Sequence, residues 1–197
     1  MSGVPFVGLT GGIGAGKSTA LGALERLGAA VLSTDQVVHE LYESPAVRDA
    51  VVEHFGESVA PEGRIDRAML ARAAFASAEE RAWLEGVLWP RVGERIGVWR
   101  ERLEHAVPPA RAAVVEVPLL FESNMDRAFD ATIAVVADEE LRARRAGARG
   151  HAALAERGER QLSQNEKAQR ATYVVANDGS PKDLEAKLSA ILEMLAR

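Results

Sequence analysis

Eight consecutive residues, Gly11-Gly12-Ile13-Gly14-Ala15-Gly16-Lys17-Ser18, fill the spacing G-x-x-x-x-G-K-S/T with which a backbone loop wraps a row of phosphates. Glycines let successive N–H groups turn inward without side-chain clashes. Lys17 suits the β- and γ-phosphates and the Ser18 hydroxyl suits Mg2+. The chemistry is that of a nucleoside triphosphate. An apolar run of strand length, Val4 to Leu9, leads into the loop, and Leu21, Leu24 and Leu27 at three-residue spacing follow it on a helix. Strand, loop and helix stand in the order the site requires. The nucleotide side is therefore assigned to Gly11, Gly12, Ile13, Gly14, Ala15, Gly16, Lys17, Ser18 and Thr19.

Two carboxylates lie where such a site needs them. Asp35 follows a second apolar run, Ala29 to Leu32, and can accept the proton of an acceptor hydroxyl as the aspartate of a kinase does. The other reading is structural: Ser33, Thr34 and Asp35 are all helix-capping residues, and Ser33 with Gln36 fits a capping box. Glu116 closes a third run, Ala112 to Val117, in the manner of a Walker-B acid, which makes it a candidate for the Mg2+ shell; helix capping is again the alternative. Between Asp138 and Arg170, eight basic residues (Arg142, Arg144, Arg145, Arg149, Arg157, Arg160, Lys167 and Arg170) mix with six acidic ones. Such a mixture reads as a solvated helical face, or as a lid that brings cations over a phosphoryl group, with Gly147, Gly150 and Gly158 as hinges. His39, His54, His105 and His151 show no zinc-ligand spacing, and Asn165-Glu166-Lys167-Ala168 does not match the N-K-x-D of a switch GTPase.

These residues must be held by an alternation of strands and helices. With Ala131 to Ala137 and Tyr173 to Ala176, the apolar runs predict a five-stranded parallel sheet in a three-layer α/β/α P-loop fold, with ligands at the carboxyl ends of the strands. The core is assigned to residues 1–35, 109–138 and 171–197, a helical insert to about 36–108, and a helical lid to about 139–170. Within the insert, Trp83, Val87 and Trp99 at helical spacing are expected in its core, and Pro90 is expected to end or kink the long helix. Residues Pro181 to Leu195 predict an amphipathic helix on the sheet, after a turn at Asn177-Asp178-Gly179-Ser180.

Composition narrows the partners. Twenty-four basic against 29 acidic residues give a net charge of −5, which argues against a general nucleic-acid binder. With 47% hydrophobic and 27% charged residues, no cysteine, no basic leader and no apolar run near a membrane span, the expectation is a cytoplasmic protein without membrane attachment, a monomer or small homo-oligomer.

Several strings together resemble the dephospho-coenzyme A kinase family over nearly the whole chain. Leu9 to Thr19 is similar to its opening, Thr34-Asp35-Gln36-Val37-Val38-His39 to its A-D-x-I-x-R/H element, and Gly63-Arg64-Ile65-Asp66-Arg67 to its G-x-L-D-R element. Val117-Pro118-Leu119-Leu120-Phe121-Glu122 matches its V-P-L-L-F-E, while Gln164 with Glu166-Lys167 and Asn177 to Ser180 resemble its later segments. The resemblance implies transfer of the γ-phosphate of ATP, with Mg2+, to the ribose 3′-hydroxyl of dephospho-CoA, the last step of coenzyme A synthesis. It implies Asp35 as partner of that hydroxyl, Arg149 or Arg145 as lid arginine near the phosphates, and Asn177 in the adenine pocket. On the acceptor side it implies Thr10, Asp35, His39, Arg67, Pro118, Leu119, Leu120 and Glu122. The chain departs from the family pattern at Trp89-Pro90, usually His-Pro, and at Ala171-Thr172, usually Ala-Asp.

Overall fold

Short runs of Val, Ile, Leu and Ala, apolar on both faces, suit strands covered on two sides. In the computed structural model, which describes residues 3–147 and 161–196, they form β1 (Phe6–Gly11), β2 (Ala30–Ser33), β3 (Ala113–Glu116), β4 (Ala131–Val136) and β5 (Tyr173–Ala176). All pairings are parallel in the order β2-β3-β1-β4-β5, so β1 is central and every strand ends at the same edge. Around them run α1 (Lys17–Arg26), α2 (Thr34–Glu43), α3 (Pro45–Phe55), α4 (Arg67–Ala74), α5 (Ala78–Glu104), α6 (Glu139–Gly147), α7 (Gln164–Arg170) and α8 (Pro181–Leu195). The chain divides into two compact units, one up to Ser33 together with the chain from Arg102, the other Thr34–Glu101.

The first unit holds the sheet. Alternation along β1 sends Val7 and Leu9 to one face, where they join Val114, Ile133, Val135 and Val175. Ala20, Ala23 and Leu24 of α1 and Leu184, Leu188, Ile191 and Leu192 of α8 close over them, all buried. Helix α8 starts as its sequence directs: Pro181 takes the first position, and Ser180 and Asp183 exchange the two hydrogen bonds of a capping box. The opposite face of β1 presents Phe6, Gly8 and Thr10. Phe6 stacks on Phe129 with ring centroids 4.5 Å apart. A Cβ at Gly8 would stand 3.0 Å from both Leu120 Cδ2 and Phe129 Cδ2, so this strand position has room for hydrogen only.

The second unit is helical. Ser44 caps α3 through Val47 N, with Pro45 following, and Asp66 caps α4 by accepting from Ala68 N and Met69 N at 2.9 Å each. Its buried positions include Val37, Leu41, Val47, Val51, Leu70, Leu88, Val92 and Ile96. Two expectations change here. Of the two outcomes expected at Pro90, an end or a kink, the end does not occur: α5 runs unbroken from Ala78 to Glu104 with Pro90 inside it. The buried line Leu88, Val92 and Ile96 crosses the proline and holds both halves, while the Arg91 side chain donates to the Val87 carbonyl at 2.6 Å. Nor are the tryptophans the centre of the core: Trp83 and Trp99 are half-buried, and Trp83 instead stacks flat on His54, with centroids 3.8 Å apart. His54 Nε2 lies 2.6 Å from Glu80 Oε2, which ties α3 to α5 from the polar side.

Leu188 is fully buried between α8 and the sheet. Leu188→Ala should lower stability by about 2–5 kcal/mol through lost burial and the cavity left behind. Urea unfolding should show a shifted midpoint with an unchanged slope.

Candidate active site

A loop that binds phosphate with its N–H groups must send its carbonyls elsewhere, and those of Gly11, Gly12, Ile13, Ala15 and Gly16 each have a partner. Lys17 Nζ donates to Gly11 O at 3.1 Å and Gly12 O at 3.4 Å, and Ala15 N also donates to Gly12 O at 3.2 Å. Arg142 Nε, on α6, donates to Ile13 O at 3.0 Å. Asn177 Nδ2, just past β5, donates to Ala15 O at 2.8 Å, and Gly16 O accepts from Ala20 N inside α1. Gly14 and Gly16 sit at φ 77° and 92°, in the region that favours glycine, and Gly16 is the N-cap of α1. Side chains would also collide here: a Cβ on Gly11 would meet Val135 O, on Gly14 the Arg142 carbonyl, and on Gly16 the Asn177 amide.

Beside this loop, Gly14, Gly16, Thr19, Arg145, Asn177, Gly179 and Pro181 line a cleft of about 260 Å³. Arg145 Nη1 donates to Asn177 O at 3.2 Å, and Asn177 N donates to Val136 O at 2.8 Å, so the cleft wall is fixed to the ends of β4 and β5. Arg145 and Asn177, from opposite ends of the assigned lid and core, are thus brought together with the loop. Arg149 lies outside the described residues. Ser18 and Thr19 are exposed in the first turn of α1. Glu116 is buried at the end of β3, in register with Leu9 of β1 and Ser33 of β2.

The segment after β3 serves the interior more than the sequence suggests. Lys167 of α7 is completely buried, and its ammonium meets Pro118 O at 2.7 Å, Glu122 Oε1 at 2.9 Å and Thr10 Oγ1 at 3.3 Å. Three donors find three acceptors. Glu122 Oε1 also accepts from Leu162 N at 2.8 Å, whereas Glu122 Oε2 is buried with no hydrogen-bond partner among the described residues. Thr10 Oγ1 and Glu122 Oε1, on residues assigned to the acceptor, are thus engaged within the protein. Leu120, also assigned to the acceptor side, is 0% exposed and packs against Gly8 of β1. Pro118 and Leu119 stay partly exposed.

In the helical unit, Asp35 and His39 are exposed on α2, and Arg67 is exposed at the first position of α4. Gln36 reaches forward to Glu40 Oε1 at 3.3 Å, not back toward Ser33 as the capping-box reading requires. Sequence reasoning overlooked Arg142 and Lys167 as structural centres. Both stood in a run of mixed charge, where nothing separates a buried cation from a solvated one.

Burial holds the Lys167 ammonium below the usual lysine value of 10.5, against the opposing pull of Glu122. A folded-state pKa below the unfolded one leaves the unfolded chain holding more protons between the two values, so this group makes stability rise with pH up to about 10.5. Lys167→Met alone strands a buried carboxylate and should cost about 3–5 kcal/mol. The double change Lys167→Met with Glu122→Gln should cost less than the sum of the single ones and should lack the alkaline rise. Denaturant midpoints of the four proteins between neutral pH and pH 10 test both statements.

Comparison with known proteins bears on what this site belongs to. The family model for dephospho-CoA kinase (CoaE) matches residues 5–183. A dephospho-CoA kinase of Moorella thermoacetica is 38% identical, with 98% of this chain and 92% of that protein covered. That of Deinococcus radiodurans is 40% identical, over 96% and 91%. Among solved structures, TT1252 from Thermus thermophilus superposes with a TM-score of 0.85 at 35% identity, covering 98% of this chain and 99% of that one. Shikimate kinase from Aquifex aeolicus shares the fold at a TM-score of 0.55 and 14% identity, covering 97% and 98%. With the family model spanning nearly the full length and relatives this similar from end to end, the chain belongs to the dephospho-CoA kinase family.

Proposed function

We propose that the chain transfers the γ-phosphoryl group of ATP to the ribose 3′-hydroxyl of dephospho-CoA, producing coenzyme A. The observation that carries this reading is the loop after β1, whose carbonyls are held away from its mouth while Lys17 stands at it, in a chain of this family. On nucleotide binding, Lys17 turns from the Gly11 and Gly12 carbonyls to the β- and γ-phosphates, whose charge makes them the stronger acceptors. Arg145 and Asn177 form the wall of the nucleotide cleft, and the family resemblance adds Arg149 as a further cation for the phosphates. Asp35 orients the acceptor hydroxyl and accepts its proton as the bond to phosphorus forms. His39, Arg67, Pro118 and Leu119 stand on the acceptor side.

Mg2+ fits the donors present. The Ser18 hydroxyl and the Glu116 carboxylate are hard oxygen ligands, and among the described residues no group of three or more His, Cys, Asp or Glu gathers. That suits an ion that takes most of its ligands from water and phosphate oxygens. When bound it neutralises charge on the β- and γ-phosphates. Among the described residues no helix is long and apolar enough to cross a membrane. A cytoplasmic enzyme, a monomer or small homo-oligomer without nucleic acid, completes the reading.

Incubation with Mg-ATP should convert dephospho-CoA to coenzyme A, whereas shikimate or nucleosides should give only background ADP; the reverse preference would overturn the acceptor assignment. Lys17→Ala should lower the rate by about 10³-fold or more, since a directed charge at the transferring group is lost. Asp35→Asn should lower kcat by about 10²–10⁴-fold while ATP affinity stays near wild type. If ATP affinity fell with kcat instead, Asp35 would be acting as a helix cap.

A further inference from the structure

The Ile13 carbonyl is turned away from the loop mouth by a side chain that belongs neither to the loop nor to its helix, and we infer that this side chain, Arg142, is a positioning residue for nucleotide binding. Its Nε donates to Ile13 O at 3.0 Å, its own backbone carbonyl packs against Gly14, and its Nη2 would stand 3.0 Å from a Cβ on Gly12. Arg142 therefore grips three consecutive loop residues. Two of the loop's other outward carbonyls, those of Gly11 and Gly12, are held by Lys17, which must leave them when phosphate arrives. Arg142 has no such duty, so with Asn177 on Ala15 O it keeps the loop in its binding shape while Lys17 changes partners. Preorganisation of this kind strengthens binding by sparing the ligand the cost of ordering the loop. Arg142 sits in the first turns of α6, where its backbone N donates to Asp138 O, two residues past β4, so the loop is also coupled to α6.

The inference rests on nucleotide binding at the loop and not on the identity of the acceptor, so binding of a fluorescent ATP analogue tests it even if dephospho-CoA proves to be no substrate. Glutamine carries its side-chain nitrogen at the same bond count from Cα as Arg Nε, without the charge. Arg142→Ala should weaken ATP and ADP alike by about tenfold or more, whereas Arg142→Gln should stay within about threefold of wild type. The melting temperature of the ligand-free protein should hold within about 2 °C for both. Three results would overturn the assignment: undiminished nucleotide affinity in Arg142→Ala; equal loss in Ala and Gln variants, which would make the residue a charge on the phosphates; or a fall in ligand-free stability that accounts for the loss.

Discussion

Backbone N–H groups can serve a phosphate only if the carbonyls between them have somewhere else to go. In this chain that constraint reaches well beyond the loop. It recruits Lys17 from the start of α1, Arg142 from α6 and Asn177 from the far side of β5, and it demands glycine at positions 14 and 16. Each recruit is fixed in turn. Asn177 N is tied to Val136 O and its carbonyl to Arg145, so the cleft wall beside the loop is built from the same hydrogen bonds that satisfy the loop. Site and scaffold are one network.

The central strand has to accommodate this network on one edge and two different neighbours on its faces. Val7 and Leu9 meet an apolar layer from α1 and α8, whose contribution comes from area withdrawn from water. The other face accepts Gly8 and Thr10, where the demand is space for Leu120 and Phe129 and a hydroxyl for Lys167. A buried ammonium is costly unless each of its protons is bonded. Lys167 meets that condition by joining three segments: the strand just before the loop, the turn after β3, and Glu122, which also accepts from Leu162. The V-P-L-L-F-E string is therefore in large part an anchoring element, with Leu120 and Phe121 buried and Glu122 paired.

Much of this was readable in the amino-acid order because local rules and tertiary demands agree. The loop octet specifies its own backbone, the five apolar runs differ from the observed strands by at most two residues at either end, and Ser180-Pro181 with Asp183 announces the start of α8. Reading failed where tertiary context overrides a local rule. Pro90 lacks the N–H that a helix interior uses, yet α5 passes through it because buried residues on both sides hold the helix together. Leu120 stands in a motif string that does not say which of its side chains turn inward, and in the fold it is buried. Arg142 and Arg145 are three residues apart on one helix, with one on the loop and the other on Asn177, and no property of a mixed-charge run distinguishes the two.

Two lysines show how environment assigns different work to one side chain. Lys17 donates to carbonyls at 3.1 and 3.4 Å and is only half-buried, and an incoming phosphate offers its ammonium a stronger, anionic acceptor. Lys167 holds a carbonyl at 2.7 Å and a carboxylate at 2.9 Å, and its side chain is sealed from solvent. To withdraw it would strand Glu122 in the interior, where the second carboxylate oxygen already has no partner among the described residues. The first lysine is therefore held ready to change partners and the second is locked. Lys167 ties Thr10, the residue just before the loop, to the segment after β3, while Lys17 at the other end of the loop faces the phosphates.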